Sequence, residues 1–135
     1  PSRPVPFIAF HGTDDEVVPF DGGRSSLEVG PSTDASRDFF DQSMPDEFAQ
    51  FAASFGCEAE PRSVAIGDEV TRHDYVGCDG DVPLSFYEIA DGGHTWPGSP
   101  LGPLLTAALG QTTTEVSATA DGWAFLRRFS LTESS

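Results

Sequence analysis

Two apolar runs, far apart in the chain, each stop at a turn of glycine and polar residues. VPFIAFH, residues 5–11, runs into Gly12-Thr13-Asp14-Asp15. VPLSFYEIA, residues 82–90, runs into Asp91-Gly92-Gly93-His94. The first run is apolar at nearly every position, which is how a strand buried on both faces reads, and such strands belong to parallel sheets covered by helices. A helix between the two runs permits the right-handed crossover that parallel neighbours need. The order strand, helix, hairpin, helix makes the fold class α/β.

The helix is read at SMPDEFAQFAASFG, residues 43–56. Pro45 suits a first turn, Asp46 and Glu47 favour the positive end of the helix dipole, and Gly56 suits the C-terminal cap. Phe48, Phe51, Ala52 and Phe55 fall on one apolar stripe. EVTRHDYV (69–76) and VPLSFYEIA flank Asp79-Gly80, a pair that favours a hairpin. Asp79 and Asp81 are assigned to turn chemistry, because the remaining ligands of a calcium loop are missing.

Residues 21–42 read as loop with one helical turn, and residues 98–115 as loop with a short helix in LGPLLTAAL. Ser117 opens a last helix in ATADGWAFLRRF, where Trp123, Leu126 and Phe129 repeat at a helical interval. Arg127 and Arg128 then occupy its last turn, and the tail LTESS frays. Gly122 weakens that helix by up to ~1 kcal/mol.

The 135 residues suit one domain. Twenty-two acidic residues against 7 basic ones give a net charge of −15, and every basic residue is arginine. Such a surface repels phosphate backbones and anionic bilayers, so neither nucleic acid nor membrane is expected as a partner. No run approaches the ~18 apolar residues that cross a bilayer. An acidic surface suits a secreted or salt-exposed protein. The chain opens on Pro1 rather than Met, so it reads as a mature, processed or cut piece with any leader upstream. Cys57 and Cys78 lack CxxC spacing, and with three histidines in the chain no metal site is expected. Two readings stand for the cysteines: a disulfide, worth roughly 3 kcal/mol in the chain-entropy model, or two buried thiols.

In open α/β sheets reactive groups gather at the carboxyl ends of strands. Two loops qualify, Gly12–Phe20 with its aspartates and Asp91–Pro97 with His94. A histidine acts as general base when a carboxylate orients it and balances its charge. By spacing alone the glycines beside His94 are equally consistent with a flexible turn. The G-x-S-x-G elbow that would present a nucleophilic serine is absent. Gly98-Ser99-Pro100-Leu101-Gly102 has its serine one place early, and Gly30-Pro31-Ser32-Thr33-Asp34 lacks the closing glycine. Neither cysteine is a convincing nucleophile.

His11-Gly12-Thr13-Asp14-Asp15-Glu16-Val17-Val18-Pro19-Phe20, followed by Gly22-Gly23, resembles a stretch of the polyhydroxybutyrate-depolymerase-type esterases, an α/β-hydrolase family with feruloyl and acetylxylan esterase relatives. The resemblance continues at FGC (55–57), YVGC (75–78) and GGHTWPG (92–98), and it extends to the closing helix at Trp123-Ala124-Phe125-Leu126.

This resemblance implies that Asp15 is the acid and His94 the base of a Ser-His-Asp triad, with Asp14 the alternative acid. It implies that Cys57 pairs with Cys78, and that Trp96 either flanks the substrate pocket or braces the histidine loop. His11 is then a satisfied residue beside the site, and His73 an exposed, inert one. The order serine, acid, histidine in that fold makes residues 1–135 the C-terminal part of the domain: the last parallel strands, a hairpin and flanking helices. The nucleophile-bearing half would lie upstream and is the expected partner, and without it the strand at 5–11 would expose an unpaired edge that invites association.

The implied activity is carboxylic ester hydrolysis without metal or organic cofactor, by a secreted enzyme. The chain alone would be nearly inactive, since losing a triad nucleophile costs around six orders of magnitude. The alternatives are a non-catalytic secreted interaction module and an inactive fragment on the same scaffold.

Overall fold

The computed structural model describes residues 3–27 and 39–130. Its centre is a mixed four-stranded sheet in the order β1-β6-β5-β4, built from β1 (Phe7–Gly12), β4 (Arg62–Ala65), β5 (Val70–Tyr75) and β6 (Leu84–Ile89). β1 runs parallel to β6 with Phe7 opposite Leu84 and Gly12 opposite Ile89. β5 pairs antiparallel with both β6 and β4. The two apolar runs are thus neighbours, as expected, and both loops that follow them emerge at one end of the sheet. β1 lies at the sheet's edge, and its outer side has no strand partner among the described residues.

α1 (Met44–Ser54) forms as its sequence dictates. The Ser43 side chain accepts a hydrogen bond from the Asp46 amide, Pro45 sits in the first turn, and Gly56 leaves the helix at φ +69°. It lays Phe48 and Ala52, and then Phe55, against one face of the sheet, where Tyr75, Leu84 and Phe86 meet them. Phe55, Leu84 and Val70 are fully buried, and each side chain contributes roughly 1.5–3 kcal/mol by leaving water. The opposite face collects Val70, Tyr87, Ile89 and Val116, with Ile8 and Phe10 packed on them.

A disulfide joins Cys57, just past α1, to Cys78. It draws the connection between β5 and β6 toward the end of α1, so that link is a 3₁₀ turn at Asp79–Asp81 and not a tight two-residue hairpin. The Asp79 amide donates to the Phe55 carbonyl across the same junction.

The strand β4 was not legible in the sequence. All four of its residues are exposed, so no buried stripe announces it. What fixes it is Glu115: its carboxylate accepts from the amides of Asp68, Glu69 and Val70 at 2.9, 2.9 and 3.1 Å, which holds the β4–β5 turn. A two-stranded ribbon, β2 (Gly23–Arg24) with β3 (Phe39–Phe40), occupies ends of the stretch read as loop; residues 28–38 of that stretch lie outside the described residues. So do Gly30–Asp34, one of the two failed elbows, and the tail 131–135.

α2 (Gly102–Leu109) forms within the expected segment, and α3 (Ala118–Leu126) starts at Ser117, whose side chain caps the Ala120 amide. The residues that reveal α3 in the sequence are not the ones it buries. Trp123, Leu126 and Phe129 are exposed, and Ala118, Gly122 and Phe125 face inward. α3 packs against β1. The helix ends at Leu126, so Arg127 caps it and Arg128 lies beyond, over the rings of Phe125 and Phe129. No helix among the described residues is long and apolar enough to cross a membrane.

Candidate active site

The loop after β1 turns on a side chain. Asp15 Oδ1 accepts from the amides of Val17 and Val18 at 2.9 and 2.8 Å, an Asx-type turn that ties the carboxylate to its own backbone. Asp15 is 7 % exposed. Its second oxygen, Oδ2, accepts from His94 Nδ1 at 2.9 Å. Asp14 is exposed and takes no part. Of the two adjacent aspartates it is Asp15 that meets His94, because the turn points that side chain inward and the preceding one out.

A carboxylate only accepts hydrogen bonds, so Nδ1 carries the proton of the neutral His94 ring. Nε2 then holds a lone pair, and it has no hydrogen-bond partner among the described residues. The His94 side chain is 45 % exposed. Buried carboxylate, imidazole oriented through Nδ1 and open Nε2 form an arrangement that can accept a proton from a hydroxyl.

His11 lies on the other side of Asp15. Its Nε2–H donates to the Val18 carbonyl at 2.8 Å and stands 3.6 Å from Asp15 Oδ2. It is the satisfied residue beside the site that the sequence implied, and it closes the loop that carries Asp15.

The glycines beside His94 do not make its loop flexible. A Cβ on Gly12 would lie 2.0 Å from the Gly92 carbonyl oxygen, and one on Gly93 would lie 2.0 Å from the Leu109 carbonyl oxygen. They are there because three backbone segments touch. The Asp14 amide donates to the Gly92 carbonyl, Gly93 to that of Gln111, and His94 to that of Leu109 at 2.7 Å. Thr13 Oγ1 accepts from the Asp91 amide, and Thr95 Oγ1 donates to the Gln111 carbonyl. Sequence reasoning missed the Leu109–Gln111 strap, since nothing local marks it as a partner of residues 93–95.

Trp96 both borders the site and braces the loop. Its ring is 60 % exposed, and its indole N–H donates to Thr119 Oγ1 on α3 at 2.9 Å. A cavity of about 480 Å³ is lined by His11, Asp15, Met44, His94, Thr95 and Trp96 among others. A larger hollow of about 900 Å³ beyond the Asp15 loop has no His94 in its wall, so the smaller one is where the imidazole can act.

His73 is half-buried and not the exposed residue expected. On the β-sheet its ring bridges two side chains, Ser63 and Glu88. Among the described residues no group of three or more His, Cys, Asp or Glu is gathered to hold a metal ion.

The chain is similar to two proteins whose names refer to esterases. It is 31 % identical over 94 residues to feruloyl esterase B of Piromyces equi, a match that covers 70 % of this chain and 16 % of that protein. It is 27 % identical over 127 residues to the protein named "Putative esterase NocK" of Nocardia uniformis subsp. tsuyamanensis, covering 90 % of this chain and 36 % of that one. The chain therefore spans well under half the length of either relative. No family model matches it, and no solved structure matches it significantly.

Proposed function

We propose that this chain is the acid- and base-bearing C-terminal part of a serine carboxylesterase of the α/β-hydrolase type. The observation that carries the reading is the Asp15–His94 pair, with Asp15 locked by two backbone amides and His94 Nε2 open. The likeness to two esterases supports it. In that fold the nucleophilic serine precedes the acid in the chain, so its place is upstream of residue 1, in a segment that pairs with the open edge of β1.

In the complete enzyme the serine hydroxyl gives its proton to His94 Nε2 as its oxygen attacks the ester carbonyl. The imidazolium, balanced by Asp15, protonates the departing alcohol and leaves an acyl-enzyme. His94 then takes a proton from water as the water oxygen attacks the acyl carbon, and returns it to the serine oxygen as the acyl bond breaks, releasing the acid and regenerating the serine hydroxyl. Trp96 borders the acyl or alcohol side of the cavity. The disulfide fits an oxidising compartment, and secretion is part of the proposal.

The substrates to test are p-nitrophenyl acetate, methyl ferulate, an acetylated xylan and a polyhydroxybutyrate film. The polypeptide that includes the upstream segment should hydrolyse at least one of them, and His94→Ala should remove at least ~10³-fold of that turnover. Unchanged turnover in His94→Ala would sink the reading.

A further inference from the structure

A second hydrogen-bonded relay, which does not include His94, crosses the sheet. His73 on β5 lies directly across from Ser63 on β4 and from Phe86 on β6. Ser63 Oγ is 2.7 Å from His73 Nδ1, and His73 Nε2 is 2.9 Å from Glu88 Oε2. The Phe86 ring lies alongside the imidazole at 24° with centroids 6.0 Å apart.

Glu88 only accepts, so Nε2 is the protonated nitrogen of the neutral ring. Nδ1 is then an acceptor, and the bond at 2.7 Å runs from the Ser63 hydroxyl to His73. Serine, imidazole and carboxylate stand in the order that activates a nucleophile. Ser63 is exposed, on a strand whose four residues are all exposed, so a small reagent can reach it.

The backbone adds a donor. The Ile66 amide donates to the Val70 carbonyl, and hydrogen-bonded pairs alternate along an antiparallel ladder. Ser63 and His73 therefore form a non-hydrogen-bonded pair. Among the described residues β4 is the end of the sheet, so the Ser63 amide points outward, where it can donate to an oxyanion formed at its own side chain.

We propose that Ser63, activated by His73 and Glu88, is a site of acylation by small activated acyl donors such as aryl esters and thioesters. As the Ser63 oxygen bonds to the acyl carbon, the hydroxyl proton passes to His73 Nδ1. The bond from the acyl carbon to the leaving oxygen or sulfur breaks, and the aryloxide or thiolate departs with the electron pair. The imidazolium, held against Glu88, afterwards releases its proton to solvent. The product is one acyl group per chain, a stoichiometric reaction separate from turnover at His94.

The test uses the 135-residue chain with p-nitrophenyl acetate, reading the p-nitrophenolate burst and locating the acetyl group by peptide mass spectrometry. The expected result is acetylation at Ser63, absent in Ser63→Ala, slowed at least ~10-fold in His73→Gln and in Glu88→Gln, and unchanged in His94→Ala. Far-UV circular dichroism confirms that each variant is folded. Glu88→Gln keeps the side chain's size and hydrogen-bonding capacity, so its rate still reports on activation where His73→Gln perturbs the sheet. An unlabelled Ser63, or one acetylated equally fast in folded His73→Gln and Glu88→Gln, overturns the proposal. Because His94→Ala leaves this reaction untouched, its failure says nothing about the esterase reading, nor the reverse.

Discussion

Asp15 and His94 stand 79 positions apart in the chain, and the Oδ2 of one lies 2.9 Å from the Nδ1 of the other. Two parallel strands in register bring them there, with Gly12 opposite Ile89. The ring's tautomer follows from that contact, and so does the first prediction. In Asp15→Asn the amide can donate to Nδ1, which lets the proton move to Nε2. The ¹⁵N shifts of His94 should change from the Nδ1–H to the Nε2–H pattern, and turnover of the polypeptide with its upstream segment should fall by roughly 10⁴-fold. Asp14→Asn should leave both measurements near wild type.

Close backbone approach makes the glycines of the two loops costly to replace. Gly93→Ala places a Cβ 2.0 Å from a carbonyl oxygen, and should lower stability by about 3 kcal/mol, the upper part of the overpacking range. Gly122 is a helical glycine with nothing within 4 Å of a built Cβ. Gly122→Ala should therefore raise stability by about 1 kcal/mol through helix propensity. Urea midpoints of the two variants should move in opposite directions.

Glu115 gives a third prediction. One carboxylate accepts from three consecutive amides at the β4–β5 turn. Bonds to a charged acceptor are the strong ones, so Glu115→Ala should cost about 2 kcal/mol. Amide exchange at Asp68, Glu69 and Val70 should speed up more than exchange in β6.

Tyr75 sets an alkaline limit. Its burial raises the phenol above the ordinary 10.0, and the negative charge of Glu60 adds to the rise. The folded-state value exceeds the unfolded one, so this contribution is fully present below pH ~10 and is lost as pH rises through the folded value. Tyr75→Phe should flatten the loss of stability above pH ~10, read as urea midpoints at several alkaline pH values.

Local pattern was enough for the elements that bury a continuous stripe. Phe48, Ala52 and Phe55 announce α1, Pro45 and Gly56 mark its ends, and the apolar runs announce β1 and β6, because side-chain periodicity and helix-end signals depend only on neighbours along the chain. The loop positions of His94 and the two aspartates followed from where those runs stop. The rest required segments distant in sequence to meet. Asp15 prevails over Asp14 because an Asx-type turn buries it against His94. The glycines beside His94 serve contact with Gly12 and Leu109, whereas in sequence they look like slack. α3 turns Phe125 inward and Trp123 outward, since a helix with apolar residues all round takes its buried face from the sheet it packs on. β4 and the Ser63–His73–Glu88 relay exist only through strand register, which no stretch of exposed polar residues encodes on its own.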